Sequence, residues 1–316
     1  MRKIILMGFP LHRNLGDQAI ALAEEKFIKE NFPEYEYYAV AEGLLMDCID
    51  KVRAACTDDD ILVLHGGGNL GNQYINIENS RRKIFELFPN NKIIIMPQSI
   101  YFTQDEDGKK EFEITKKIYN EHKNLTIVTR EQVSYDIVKE NFSADVLLTP
   151  DIVMSLNKQK ENVERKGIMY LLRKDVEVVL DDEKRNDLIS LGRKYFNDIK
   201  VSDMIYPDLF NTNKRTQILD KFMGEIGSKE LVITDRLHGM IFCAITGTPC
   251  IVFSNYNHKV KSSTEWLKHL NYIKYLDDYS KTEEAIKELM EIKNTKYDNT
   301  EIINSLNQIV RKIKMF

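Results

Sequence analysis

The chain alternates short β-rich apolar runs with helix-patterned segments, and it does so twice. In the first half, residues 3–7, 35–40, 61–64, 92–96, 126–129 and 146–148 read as strands. Apolar spacing between them predicts helices at 18–31 and near 79–88, 109–122 and 131–141. A polar stretch, 157–166, interrupts the pattern and reads as a linker. The series restarts with a strand at 167–172, a helix at 182–196, a strand near 200–205 and a helix at 214–226. A strand at 231–234, a helix at 237–245, a strand at 250–253 and a helix at 262–270 follow. The residues after Asp277 are largely helical, ending in a helix at 301–314. Wholly apolar strands separated by helices build βαβ units and parallel sheets covered on both faces. The expected fold is α/β, two doubly wound halves facing a cleft, with ligands at the carboxyl ends of the strands. The expected boundaries are 1–156 for the N-terminal domain, 157–166 for the linker, 167–296 for the C-terminal domain and 297–316 for a C-terminal helix.

Composition narrows what such a scaffold could do. With 45 basic against 49 acidic residues, the net charge of -4 offers nucleic acid no global attraction, so any anion site must be local. Cys48, Cys56, Cys243 and Cys250 form no CxxC pair and read as reduced thiols rather than disulfides or metal ligands. No apolar stretch reaches the roughly 18–20 residues that span a bilayer. The first apolar run breaks at Gly8 and Pro10, too early for a signal peptide. The expected location is the cytoplasm, with contact at the inner face of the membrane left open.

The chemistry gathers where strands end. The strand at 231–234 runs directly into Asp235-Arg236-Leu237-His238-Gly239. Asp235 is expected to cap the following helix, setting Arg236 and His238 in its first turn, where free N–H groups favour an anion. A forked guanidinium beside an imidazole gives an anion site with acid/base capacity; the plainer reading is a surface cation and a packed histidine. Arg173 follows another strand, and Lys259 closes the loop after the strand at 250–253, so both could meet the same anion. His258 is a weaker candidate, and Asp151 could reach the cleft or hold a domain-boundary loop.

In the first half, the strand at 61–64 opens into His65-Gly66-Gly67-Gly68-Asn69. Consecutive glycines let backbone approach a ligand closely, although they also suit a tight turn. The run is neither a dinucleotide fingerprint nor a P-loop. After the first strand, Asn14, Gly16 and Asp17 could bind sugar hydroxyls, with Asp17 also able to cap a helix; His12 and Arg13 are weaker candidates. His122 and His269 fall on polar helix faces and read as surface residues. No zinc, paired-aspartate or nucleophile-elbow motif is present, so no metal or cofactor is expected.

These segments, with Gly247-Thr248-Pro249-Cys250-Ile251 and Tyr256-Asn257-His258-Lys259-Val260, resemble the polysaccharide pyruvyltransferase family from about Lys3 to Trp266. The resemblance implies two Rossmann-like domains of the glycosyltransferase-B-like kind. It implies transfer of pyruvate from phosphoenolpyruvate to two hydroxyls of a sugar in a cell-surface polysaccharide precursor such as capsule or exopolysaccharide, giving a cyclic ketal and phosphate. It further implies that Arg173, Arg236, Leu237, His238 and Lys259 contact phosphoenolpyruvate, with Arg236 and His238 catalytic. Asn257-His258 departs from the Asp-Pro more usual before the lysine. Asn14, Gly16, Asp17, Gly66, Gly67, Gly68 and Asn69 are assigned to the acceptor side, the acceptor being free or lipid-linked. A nucleotide-sugar glycosyltransferase on the same scaffold is the competing enzyme, and a non-catalytic carbohydrate-binding protein the competing class. The latter would not need the grouping of Arg236, His238 and Lys259.

Overall fold

The computed structural model describes residues 2–173, 180–254 and 259–315, which form two compact units. The first comprises Met1–His12, Asp17–Ile152 and Ile302–Phe316, and the second Arg13–Gly16 and Val153–Glu301.

The first unit runs β1 (Lys3–Phe9), α1 (Leu15–Asn31), β2 (Glu36–Ala41), α2 (Leu45–Ala55), β3 (Ile61–Leu64) and β4 (Gly67–Leu70). It continues with α3 (Ile75–Leu87), β5 (Lys92–Ile100), α4 (Glu106–Glu121), β6 (Leu125–Thr129), α5 (Gln132–Asn141) and β7 (Asp145–Leu148). The sheet order is β2-β1-β3-β5-β6-β7, with β4 paired to β5 and every pairing parallel. Strands β3 and β6 are buried at every residue because helices cover both faces. One core holds Ile5, Met7, Leu62, Leu64, Ile93, Ile95 and Ile127 against Phe85, Tyr119 and Val138.

The second unit runs β8 (Ile168–Leu171), α6 (Asp182–Gly192), β9 (Ile199–Ser202), α7 (Arg215–Gly227), β10 (Leu231–Thr234) and α8 (Leu237–Thr246). It ends with β11 (Cys250–Phe253), α9 (Lys259–Thr264), β12 (Ile273–Leu276) and α10 (Thr282–Met290). Its sheet, also parallel throughout, has the order β12-β11-β10-β8-β9. Helix α8 is apolar all round, buried from Gly239 to Thr246, and stops at Gly247, whose left-handed φ of 67° closes the helix.

Three placements differ from the reading by sequence. Residues 157–166 are not a free linker. Lys158 N–H donates to Ile245 O at 2.9 Å, and Gln159 bridges Thr295 O and Tyr297 N, so the polar stretch is fastened within the second unit. The last helix, α11 (Thr300–Lys314), belongs to the first unit, burying Ile302, Leu306, Ile309 and Ile313 and pairing Lys312 with Asp145. Finally, Arg13–Gly16 leaves the first unit for the second. Leu15 N–H donates to Met204 O and Tyr206 N–H to Arg13 O, both at 2.8 Å, around an antiparallel bridge between Asn14 and Ile205.

Candidate active site

Because the second sheet is parallel, four neighbouring strands deliver their carboxyl ends to one edge. Asp203 follows β9, Arg173 follows β8, Asp235-Arg236 follows β10, and Lys259 begins α9 after β11. Arg173, Arg236 and Lys259 are all at least nine-tenths buried. Three cations withdrawn from water at one sheet edge suit a multiply charged anion better than solvent.

The expected cap is corrected. Arg236, with extended backbone (φ -102°, ψ 128°), is the N-cap of α8, and its side chain makes no capping hydrogen bond among the described residues. Asp235 instead turns sideways, its Oδ1 accepting the N–H of Arg173 at 2.9 Å, which ties the end of β8 to that of β10. Burial raises the Asp235 pKa, partly offset by the Arg173 N–H and the nearby charges of Arg173, Arg236 and Arg185. Its Oδ2 is buried and has no hydrogen-bond partner among the described residues. Arg236 is oriented at both ends: its N–H donates to Thr234 Oγ1 at 3.0 Å and its Nη2 to Asp203 Oδ1 at 2.6 Å. The guanidinium is therefore aimed before any ligand arrives, which lowers the cost of ordering it on binding.

His238 lies one residue into α8, half-buried, its ring 6.4 Å from that of Phe242. On its other side lies Gly16: a Cβ built there would fall 2.6 Å from the imidazole Cγ and closer still to Nδ1. Asn14 Oδ1 accepts the Gly16 N–H at 2.9 Å, forming the turn that brings this backbone against the ring. The sequence reading placed Asn14 and Gly16 beside an acceptor in the first domain; they lie instead in the second unit, on the histidine. Leu237, in the same turn of α8, is half-buried. Tyr256, Asn257 and His258 lie outside the described residues.

The contact predicts a mutant. Gly16→Ala should push the imidazole aside and lower turnover about 10²-fold, the scale of a misplacement near 1 Å. In a His238→Gln background the same change should cost little more, because the residue it displaces no longer acts. Additive losses in that double-mutant cycle would show that Gly16 acts elsewhere.

In the first unit, Asp17 stands at the start of α1, 3.7 Å from the His12 imidazole. The glycine run is not a loop: Gly67–Leu70 forms β4. Its glycines answer mainly to packing. A Cβ at Gly66 would meet Pro97 O at 2.7 Å, and Gly67 adopts φ +121°. The Gly66 N–H donates to Glu24 Oε1 at 2.8 Å, and Gly68 and Asn69 are half-buried. Asn69 Oδ1 accepts from Arg81 Nη2 and Gln98 Nε2, both at 2.7 Å, and Arg81 pairs with the buried Glu78.

The pairing of Glu24 with His65 went unrecognised in the sequence. The Glu24 carboxylate is 0% exposed and lies 2.6 Å from Nδ1 of His65, itself 6% exposed. Burial alone would disfavour the charged ring. The Glu24 carboxylate, helped by the charges of Asp17 and Glu42, outweighs it and raises the His65 pKa above 6.5. A histidine pKa raised on folding contributes stability that is complete below 6.5 and fades as pH rises through the raised value. The melting-temperature gap between wild type and Glu24→Gln should thus be widest near about pH 6 and narrow toward about pH 9. A gap that widens with pH would contradict this pairing. His122 is also corrected: it is buried against Phe85, with Nε2 3.0 Å from Phe88 O, and burial lowers its pKa. Asp151 is likewise occupied structurally, paired with Arg130 at 2.7 Å inside the first unit.

Residues 14–258 match the model of the polysaccharide pyruvyl transferase family. The chain belongs to this family. It is accordingly a transferase. It is 42% identical to General stress protein 30 of Bacillus subtilis (strain 168), over 92% of this chain and 86% of that one. It is 28% identical to Pyruvyl transferase 1 of Schizosaccharomyces pombe (strain 972 / ATCC 24843), over 81% and 67% respectively. A solved Methanocaldococcus jannaschii UDP-GlcNAc 2-epimerase, in complex with UDP-GlcNAc and UDP, covers all of both chains at a TM-score of 0.55 and 15% identity, a likeness of fold. No described helix is long and apolar enough to cross a membrane.

Proposed function

We propose that the protein transfers pyruvate from phosphoenolpyruvate to two hydroxyls of one sugar residue in a cell-surface polysaccharide precursor, forming a cyclic ketal and releasing phosphate. The observation that carries this reading is the row of buried cations, Arg173, Arg236 and Lys259, at the edge where α8 begins, with His238 in its first turn. Phosphoenolpyruvate presents a carboxylate and a phosphate, so it needs several cations and a helix N-terminus within one small volume.

The chemistry balances without another reagent. A proton from the His238 imidazole adds to the enol methylene, and a sugar hydroxyl adds to the neighbouring carbon, returning its proton to the histidine. The C–O bond to phosphate then breaks, with Arg236 and Lys259 taking up the negative charge that collects on the leaving group. The second hydroxyl closes the ring, and its proton leaves with phosphate. Arg173 holds the substrate carboxylate, and Leu237, in the first turn of α8, lies on the donor side as well. Asp17, Gly67, Gly68 and Asn69 contact the acceptor sugar. No metal or organic cofactor has a part in these steps.

Phosphate release from phosphoenolpyruvate that requires an added acceptor sugar tests the reading. Transfer from a nucleotide sugar, with phosphoenolpyruvate left intact, would instead make the protein an ordinary glycosyltransferase.

A further inference from the structure

In the second unit, the chain leaving β9 ties together the two groups to which the transfer is assigned. Asp203 Oδ1 accepts Nη2 of Arg236 at 2.6 Å and the N–H of Met204 at 2.7 Å. Met204, 1% exposed, in turn accepts the Leu15 N–H on its carbonyl at 2.8 Å. Leu15 leads directly into Gly16, whose backbone lies against the His238 ring. The path from guanidinium to imidazole is therefore one carboxylate oxygen, the Met204 backbone and the Leu15–Gly16 backbone. It runs through a short antiparallel ribbon rather than a lone contact. Asn14 bridges Ile205, Tyr206 N–H donates to Arg13 O at 2.8 Å, and Arg13 Nη1 donates to Pro207 O at 2.8 Å. The rings of Tyr206 and Phe210 meet edge to face at 5.7 Å and brace the same loop.

We infer that Asp203 is a positioning residue for the transfer: its Oδ1 sets the Arg236 guanidinium and, through Met204 and the Leu15–Gly16 backbone, the His238 imidazole. Charge alone argues against a carboxylate here. Beside cations that receive a multiply charged anion, a carboxylate opposes binding through its own charge. What Asp203 supplies instead is order. A long arginine side chain otherwise has rotamer freedom to lose when a ligand arrives, and group transfer is sensitive to misplacements of about 1 Å. Supporting bonds of this kind hold reacting groups in their productive geometry. Both hydrogen bonds of Asp203 fall on the same oxygen. An isosteric carboxamide can keep the two of them on its oxygen, whereas a methyl group keeps neither.

This inference rests on the pyruvyl transfer reading for the substrate on which Arg236 and His238 act; the tie between the two side chains is separable from it and can be read without substrate. Asp203→Ala should lower kcat about 10²-fold, and Asp203→Asn should recover most of that loss through its carboxamide oxygen. Calorimetry should find phosphoenolpyruvate bound by both variants within about threefold of wild type, or more tightly. NMR of ligand-free protein carrying isotopically labelled histidine reads the imidazole directly, the His238 resonance being identified by its loss in His238→Gln. That resonance should broaden or split in Asp203→Ala and stay single in Asp203→Asn, although both variants remove the same charge. If phosphoenolpyruvate is neither bound nor turned over while the His238 resonance responds in this way, the positioning stands and the reaction assignment falls. Asp203→Asn as slow as Asp203→Ala, weakened donor binding with kcat intact, or a His238 resonance undisturbed in Asp203→Ala overturns the inference.

Discussion

His238→Gln is expected to bind phosphoenolpyruvate within about threefold of wild type, under 1 kcal/mol, while turning it over 10²–10⁴-fold more slowly, the usual worth of one general acid–base (order of magnitude). Glutamine keeps a hydrogen-bonding amide at the head of α8 and a similar reach, so binding survives. It cannot carry a proton between the enol methylene and a hydroxyl, so the rate does not. The position of the ring supports this division. It lies in the first turn of α8 and is wedged between Phe242 and the Gly16 backbone, a constraint suited to a group whose orientation matters. Stopped-flow or rapid-quench kinetics beside calorimetric donor titration would separate the two quantities. Collapse of donor binding with a normal rate per bound complex would reduce His238 to a binding group.

The second large effect is Arg236→Lys, expected to lower kcat/KM by the equivalent of about 2–4 kcal/mol, the cost of losing a buried charged hydrogen bond. The charge is retained, so a purely coulombic role would be nearly unaffected. The guanidinium, however, already gives one nitrogen to Asp203 at 2.6 Å. Its planar fork can keep that bond and still present N–H groups to a ligand, whereas a single ammonium must share one point between carboxylate and substrate. Near wild-type kcat/KM in Arg236→Lys would take Arg236 out of the donor site.

Much of the fold was legible because its strands are buried on both faces. Runs such as Ile61–Leu64, Leu231–Thr234 and Cys250–Phe253 carry no polar residue before their last position, and all three lie where the sequence pattern sets them. The elements that escaped notice lack that signal. Gly67–Leu70 has almost no intrinsic strand preference and becomes a strand only by pairing with β5. Ile273–Leu276 is an edge strand, half-exposed at every residue. Helix α2 buries only Leu45 and Ile49, too short an apolar stripe to stand out.

At the site, the cations were legible because strand ends in a parallel sheet are where ligands gather. The role of Asp235 was not: a residue before a helix reads as its cap, and only the neighbouring strand end reveals that its carboxylate serves Arg173. Glu24 was hidden for a similar reason. In sequence it belongs to the doublet Glu24-Glu25 on an amphipathic helix, which looks solvated, and its partner lies 41 residues away. Gly16 shows the same limit: its tie to His238 spans most of the chain and leaves no local trace.

The central claim is the joining of pyruvate to two hydroxyls of one sugar, and mass spectrometry of the acceptor tests it most directly. Purified protein is incubated with phosphoenolpyruvate and candidate acceptors, including lipid-linked oligosaccharides. The account predicts a product heavier by one pyruvate less one water, one phosphate released per product, and loss of both in His238→Gln. An acceptor that gains a hexose from a nucleotide sugar, with phosphoenolpyruvate unconsumed, would contradict it.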